Sequence, residues 1–235
     1  MAIHTCAMRI FHGFLVVLLS VTASPANDTP KMLGSGKVNF PLEGSVSIEA
    51  VVKQGQQPHL IFRSSSNGKV LLSAVVGKTA DWKEYTDAND PNHVLSGLRF
   101  VVLHRHGLPD PLIVALAMYP GGSDCRYSMA LFGEVEGEIR ELTPDLPDYW
   151  FRGGAELSRR GSSGETRLIV SSEHYSANDV HVNGPSRLAV YTYKYDPAQE
   201  KFVEISHSLV RDADGTVSSP DSINLVSLFG ELAQC

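Results

Sequence analysis

Short apolar runs rich in Val, Ile, Leu, Phe and Tyr recur along the chain between clusters of Gly, Pro, Asn, Asp and Ser. That is the signature of strands and turns, and helical periodicity is scarce. Val46-Ser47-Ile48-Glu49-Ala50-Val51-Val52 and Phe202-Val203-Glu204-Ile205-Ser206-His207 alternate with period two. Each is predicted to be a strand with one buried and one wet face. Arg99-Phe100-Val101-Val102-Leu103 and Leu112-Ile113-Val114-Ala115-Leu116-Ala117 are more continuously apolar, which places them in the middle of sheets. Pro109 and Pro111, on either side of Asp110, exclude a helix there and end the first of these two strands.

A spaced similarity runs through the strands. Leu60-Ile61-Phe62, Leu112-Ile113-Val114 and Leu168-Ile169-Val170 sit 52 and 56 residues apart, each after a polar turn containing Gly. Each has an apolar run before it and another after it: Val70-Leu71-Leu72, Met129-Ala130-Leu131-Phe132 and Leu188-Ala189-Val190-Tyr191. In the second and third units a fourth run follows, around Ile139 and around Val203. The expected fold is all-β: a four-stranded antiparallel meander repeated about three times, the three Leu-Ile runs at equivalent positions.

Over roughly residues 45–207 the unit resembles a diverged blade of the FG-GAP or VCBS type of exported β-propellers, in which an acidic turn leads into a Pro-x-Leu-Val-Val strand. Asp110-Pro111-Leu112-Ile113-Val114 carries the match. The resemblance implies a propeller-like scaffold. Its Asp-rich calcium turn is not kept, since His106-Gly107-Leu108-Pro109-Asp110 holds one carboxylate. A β-sandwich of the same meanders is the alternative. Two segments break the pattern: residues 77–96 read as a long polar loop, and Asp221 or Ser222 is placed to cap a short C-terminal helix through Ile223, Val226, Phe229 and Leu232.

The first residues set the compartment. Residues 1–26 hold one charged residue, Arg9, ahead of the apolar run Phe14–Leu19, with small residues at Ala23 and Ala26. That order is a signal peptide, with cleavage expected after Ala26 and a start at Met1 or Met8. The run from Ile10 to Ala23 is too short to cross a hydrocarbon layer of about 30 Å as a helix. Residues 27–235 are then one exported domain, secreted or periplasmic, with no stable membrane span once the signal is removed.

Without the signal, 19 basic and 26 acidic residues leave a net charge near −7, which argues against nucleic acid as a partner. Cys6 leaves with the signal, so Cys125 and Cys235 remain in an oxidising compartment and are expected to pair.

Three polar clusters are candidate sites. His104-Arg105-His106 would place two imidazoles on one face if the strand from Leu98 continues to His106, and Asp110 could add an oxygen; this is the one metal site the sequence suggests. The plain alternative is a solvated rim. Glu173-His174-Tyr175 with Asn178, Asp179 and His181 occupies a long loop, and Tyr119 to Asp124 forms the corresponding loop of the preceding unit. Tyr119, Asp124, His174, Tyr175, Asp179 and His181 on one rim would suit a sugar or a peptide. Asp212-Ala213-Asp214-Gly215 fails the calcium-loop pattern and reads as a turn.

Gly-x-Ser-x-Gly and His-Glu-x-x-His are both missing from the sequence. Export, excess acid and loop aromatics point to a non-enzymatic module of the cell envelope that binds a protein, peptide or glycan and needs no cofactor. The alternatives are a hydrolase of an envelope polymer, using His104, His106 or His174, and a periplasmic inhibitor of a basic enzyme.

Overall fold

The computed structural model describes residues 31–52, 58–76, 97–105, 107–121, 124–144, 146, 154–160, 165–174, 187–211, 222–225 and 227–229. These residues form three antiparallel sheets, each an up-and-down meander in chain order. The first sheet holds β1 (Lys31–Phe40), β2 (Gly44–Val52), β3 (His59–Ser64) and β4 (Val70–Val75). The middle sheet holds β5 (Gly97–Leu103), β6 (Leu112–Gly121), β7 (Asp124–Val135) and β8 (Glu138–Glu141). The third holds β9 (Gly154–Arg160), β10 (Glu165–His174), β11 (Arg187–Asp196) and β12 (Lys201–Arg211), and β13 (Ile223–Asn224) joins it beside β9. All-β meanders, the expected class, are what is found.

Turn chemistry sets the hairpins. Val135 pairs with Glu138 across Glu136 and Gly137, which take φ of 53° and 81°. Two positive-φ residues match the twist of the flanking strands, and Gly at the second tolerates it without strain. Between β11 and β12 the Asp196 carboxylate accepts from Ala198 N at 2.9 Å, an Asx-type turn that fixes the pairing of Asp196 with Lys201.

The sheets stack face to face with the middle one between the other two. Period two along β6 divides its side chains: Ile113, Ala115 and Ala117 enter the core shared with the first sheet, while Leu112, Val114 and Leu116 enter the core shared with the third. β7 does the same, with Ala130 and Phe132 on one side and Met129 and Leu131 on the other. Phe132 meets Phe62 of β3 at a centroid distance of 5.1 Å. Both faces of this sheet are covered, which is why its strands read as unbroken apolar runs. β6 is central as expected, whereas Arg99–Leu103 belongs to β5 at the sheet's edge; its apolar character comes from coverage of its two faces.

Polar clasps hold the layers in alignment. The Glu134 carboxylate of β7 accepts from Leu42 N at 2.9 Å and Glu43 N at 2.5 Å, tying the β1–β2 turn to the middle sheet. Arg140 of β8 pairs with Glu200 in the β11–β12 turn, and Phe202 N donates to Leu142 O at 3.4 Å. Near that turn the middle and third sheets are therefore pinned together.

Two expectations are corrected. The three Leu-Ile runs lie in β3, β6 and β10; the last two are second strands of their meanders, but β3 is a third strand. The positional counterpart of β6 in the first sheet is β2. The C-terminal stripe also differs: among the described residues there is no α-helix. Ile223 and Asn224 pair with Leu157 and Glu156 of β9, Leu225 N donates to Ala155 O at 2.8 Å, and Ser227–Phe229 make a single 3-10 turn. The open edge of β9 satisfies backbone groups that a short isolated helix would leave to its own ends. Leu225 and Phe229 are nonetheless buried, in the core between the middle and third sheets.

Candidate functional site

β5 ends at Leu103, so the strand does not carry on to His106, and His106 itself lies outside the described residues. His104 stands just past the strand with Nδ1 2.5 Å from Asp110 Oδ1, and both side chains are mostly exposed. Leu108 is buried in the core shared by the middle and third sheets, and the rest of the turn is held close to β7: a Cβ on Gly133 would lie 2.7 Å from Pro109 Cβ. Asp110, expected as a metal ligand together with His104 and His106, lies within hydrogen-bond reach of His104. A carboxylate on Nδ1 fixes the ring and leaves Nε2 outward, the orienting half of a carboxylate–histidine unit. Among the described residues no three His, Cys, Asp or Glu side chains converge as a metal site.

The candidate rim is shorter in loop than expected. Tyr119 and Asp124 lie within β6 and β7, with Tyr119 opposite Arg126 and Asp124 opposite Gly121 at the tip of that hairpin. His174 is the last residue of β10, opposite Arg187. Tyr175, Asp179 and His181 lie outside the described residues, as does Cys235; Cys125 sits in β7 opposite Pro120. The β6–β7 tip and the connection after His174 are each the link between the second and third strands of a meander, so the two expected loops are topologically equivalent.

The backbone register of the third sheet assembles a surface that no single segment displays. Three rows cross β10, β11 and β12 in succession: His174, Arg187 and Arg211; then Ser172, Ala189 and Leu209; then Val170, Tyr191 and His207. Alternation puts all three rows on one face, the face that carries Leu168, Val170 and Tyr193 into the core with the middle sheet. A basic row thus stands at the end of the sheet, with a small-to-apolar row and an aromatic row behind it.

The outer part of this face is open. β12 has 11 residues against 4 in β8, and the backbone bond from Phe202 N to Leu142 O joins the two layers at the start of β12. Every residue from Glu204 to Leu209 is exposed, including Ile205 at 44% and Leu209 at 48%. The His207 ring stacks on Tyr191 with centroids 5.8 Å apart and an interplanar angle of 30°, and its Nδ1 lies 3.0 Å from Glu204 Oε1. Among the described residues β12 has a strand neighbour on one side only, β11, and beyond Phe202, whose N–H donates to Leu142 O, no strand pairs with its other edge. Ile205 is the extra residue of a bulge between the pairs Thr192–Ser206 and Tyr193–Glu204.

Arg187, Tyr191, Ile205, His207, Leu209 and Arg211 were not singled out by sequence. The alternation around Phe202–His207 signalled a half-buried strand, but its exposure depends on what the rest of the chain lays beside it. No protein-family model, curated protein or solved structure matches the chain.

Proposed function

We propose that the chain is an exported binding module of the cell envelope, built on propeller-like stacked meanders, that presents the open end of its third sheet to a protein or peptide. The observation that supports this best is β12, an 11-residue strand with one strand neighbour among the described residues and six consecutive exposed residues. A long exposed edge with apolar side chains is a liability unless something uses it. The opening segment supports export, and the net charge near −7 after its removal, together with the missing basic block, disfavours nucleic acid.

The test is a photoactivatable cross-linker placed in the full chain at position 209 and, as a control, at exposed position 42 on the first sheet. The expected outcome is an envelope-fraction adduct at 209 and none at 42, with the adducted protein starting after Ala26. Equal labelling at the two positions, or a chain retained with its signal in the cytoplasm, overturns the reading.

The His104–Asp110 pair supports a second reading, hydrolysis of an envelope polymer with His104 as base. Turnover of a peptidoglycan or protein substrate that His104→Ala abolishes would establish it; unchanged turnover in that variant would remove it.

A further inference from the structure

We propose that the edge of β12 with no strand neighbour among the described residues is a strand-addition site for an extended segment of another protein that carries an acidic residue, an apolar residue and an aromatic or apolar residue at alternate positions. This deepens the binding role proposed above and rests on it.

The backbone fixes the class of ligand. A row of N–H and C=O groups spaced as in a strand is matched by another extended polypeptide and not by a sugar, whose hydroxyls lack that repeat. The stretch beyond the bulge, Ser206–Arg211, is regular in its pairing with β11, so a sixth strand added to the sheet continues its register. The bulge at Ile205 and Lys201 before it limit indiscriminate pairing at the other end of the edge.

The rows then fix the side chains. A residue added opposite Arg211 extends the row His174–Arg187–Arg211, in which basic residues stand directly opposite one another across strands. Arg187 and Arg211 occupy opposed register positions, and a carboxylate at the next position along the row complements two cations. Two residues along, the partner meets Leu209, half exposed and backed by buried Ala189, which an apolar side chain covers. Two further along, it meets His207 stacked on Tyr191, a position for an aromatic or branched apolar side chain. Intervening residues fall on the opposite face beside half-buried Val210 and exposed Ser208, where a small residue with both a methyl and a hydroxyl group fits.

A second copy of this chain satisfies the edge less well. Antiparallel pairing of two β12 strands that keeps Ser206–Arg211 face-matched sets Arg211 against His207, Leu209 or another Arg211, and against the acid Glu204 only in the register that reaches across the bulge. The row of bases is left uncompensated in the first three registers.

The probe is a fluorescent peptide with Asp, Val and Tyr at alternate positions separated by threonines, added to the mature chain and followed by polarisation. Saturable binding is expected, weakened tenfold or more by Asp→Lys in the peptide, by N-methylation of its edge-facing amides, and by Leu209→Asp in the protein. Arg211→Glu should reverse the preference, so that the Lys peptide binds more tightly than the Asp peptide. Binding indifferent to N-methylation overturns strand addition, and no preference between Asp and Lys peptides overturns the row assignment. Sedimentation of the same variants adds a further arm: a dimer lost in Leu209→Asp, without peptide binding, makes the occupant a second copy. A cross-link at position 209 to a glycan or to a folded protein surface, with no binding of any peptide, leaves the binding role standing and defeats this inference alone.

Discussion

The middle sheet and the outer part of β12 are built from the same unit, an antiparallel meander strand with Val, Leu and Ser, yet they are covered in opposite ways. Residues Leu112–Ala117 are all buried because a sheet lies on each face. Residues Glu204–Leu209 are all exposed, on a strand that is the last of its sheet among the described residues. Strand composition here reports how many faces are covered, while the exposure of an edge strand depends on what the rest of the chain lays beside it. Stability and binding should therefore respond to different residues.

Phe132→Ala is the substitution with the largest expected effect. The ring is fully buried between β3 and the middle sheet, and its removal leaves a cavity beside Phe62, a loss of about 3–5 kcal/mol. Leu209→Ser, at 48% exposure, should stay within about 0.5 kcal/mol. Urea unfolding of both variants checks this, and comparable losses would erase the contrast between the two regions.

The cysteines sharpen it from the side of the middle sheet. Cys125 is anchored in β7, and a bond from it to Cys235 would close a loop of 110 residues, constraining the unfolded chain by about 4 kcal/mol less any strain. Mass spectrometry of unreduced mature protein should show two hydrogens fewer than the dithiol, with a lower unfolding midpoint after reduction. Two thiols that alkylate freely in periplasmic protein would reject the pairing.

What could be read from the sequence follows the same division. Coverage of two faces leaves a local mark, so β6 is legible from Leu112–Ala117 alone. The stripe Ile223, Val226, Phe229 was misread as a helix because its spacing fits a helical face equally well, and the deciding factor, an open edge on β9, lies elsewhere in the chain. Leu60-Ile61-Phe62 matches β6 and β10 in residue type, whereas its position in the meander, third instead of second, depends on the number of turns before it. His174 was legible as a candidate; its row with Arg187 and Arg211 was not, since that depends on the registers of two hairpins.

A smaller effect is expected at Gly133. A Cβ there would sit 2.7 Å from Pro109 Cβ and 2.9 Å from Leu142 Cδ1, both held by the middle layer, so Gly133→Ala costs about 1–3 kcal/mol through overpacking. The turn that carries Pro109 must shift, and the His104–Asp110 contact with it, so the His104 ring resonances should move in the NMR spectrum. Unchanged stability and unchanged resonances would show that the turn is not clamped by β7.

The smallest effect concerns the opposite face of the third sheet and appears only in acid. Lys194 Nζ lies 2.6 Å from one carboxylate oxygen of Glu165 and Arg167 2.8 Å from the other, and these bonds, Lys194 first, hold the carboxyl below its ordinary value of 4.5. A depressed folded-state value means that the contribution is complete above about pH 4.5 and is lost as the pH falls through the folded value. Both cations reach into solvent, so the pair is screened and its contribution is modest. Glu165→Gln should therefore be slightly less stable than the parent near pH 7, and the difference should shrink below pH 4.5 until the two unfolding curves coincide. Because this cluster lies on the face away from the basic row, the same variant should leave peptide binding at β12 unchanged. A loss of binding in Glu165→Gln would mean that the two faces of the third sheet are coupled, and that the exposed edge depends on more than its own strand.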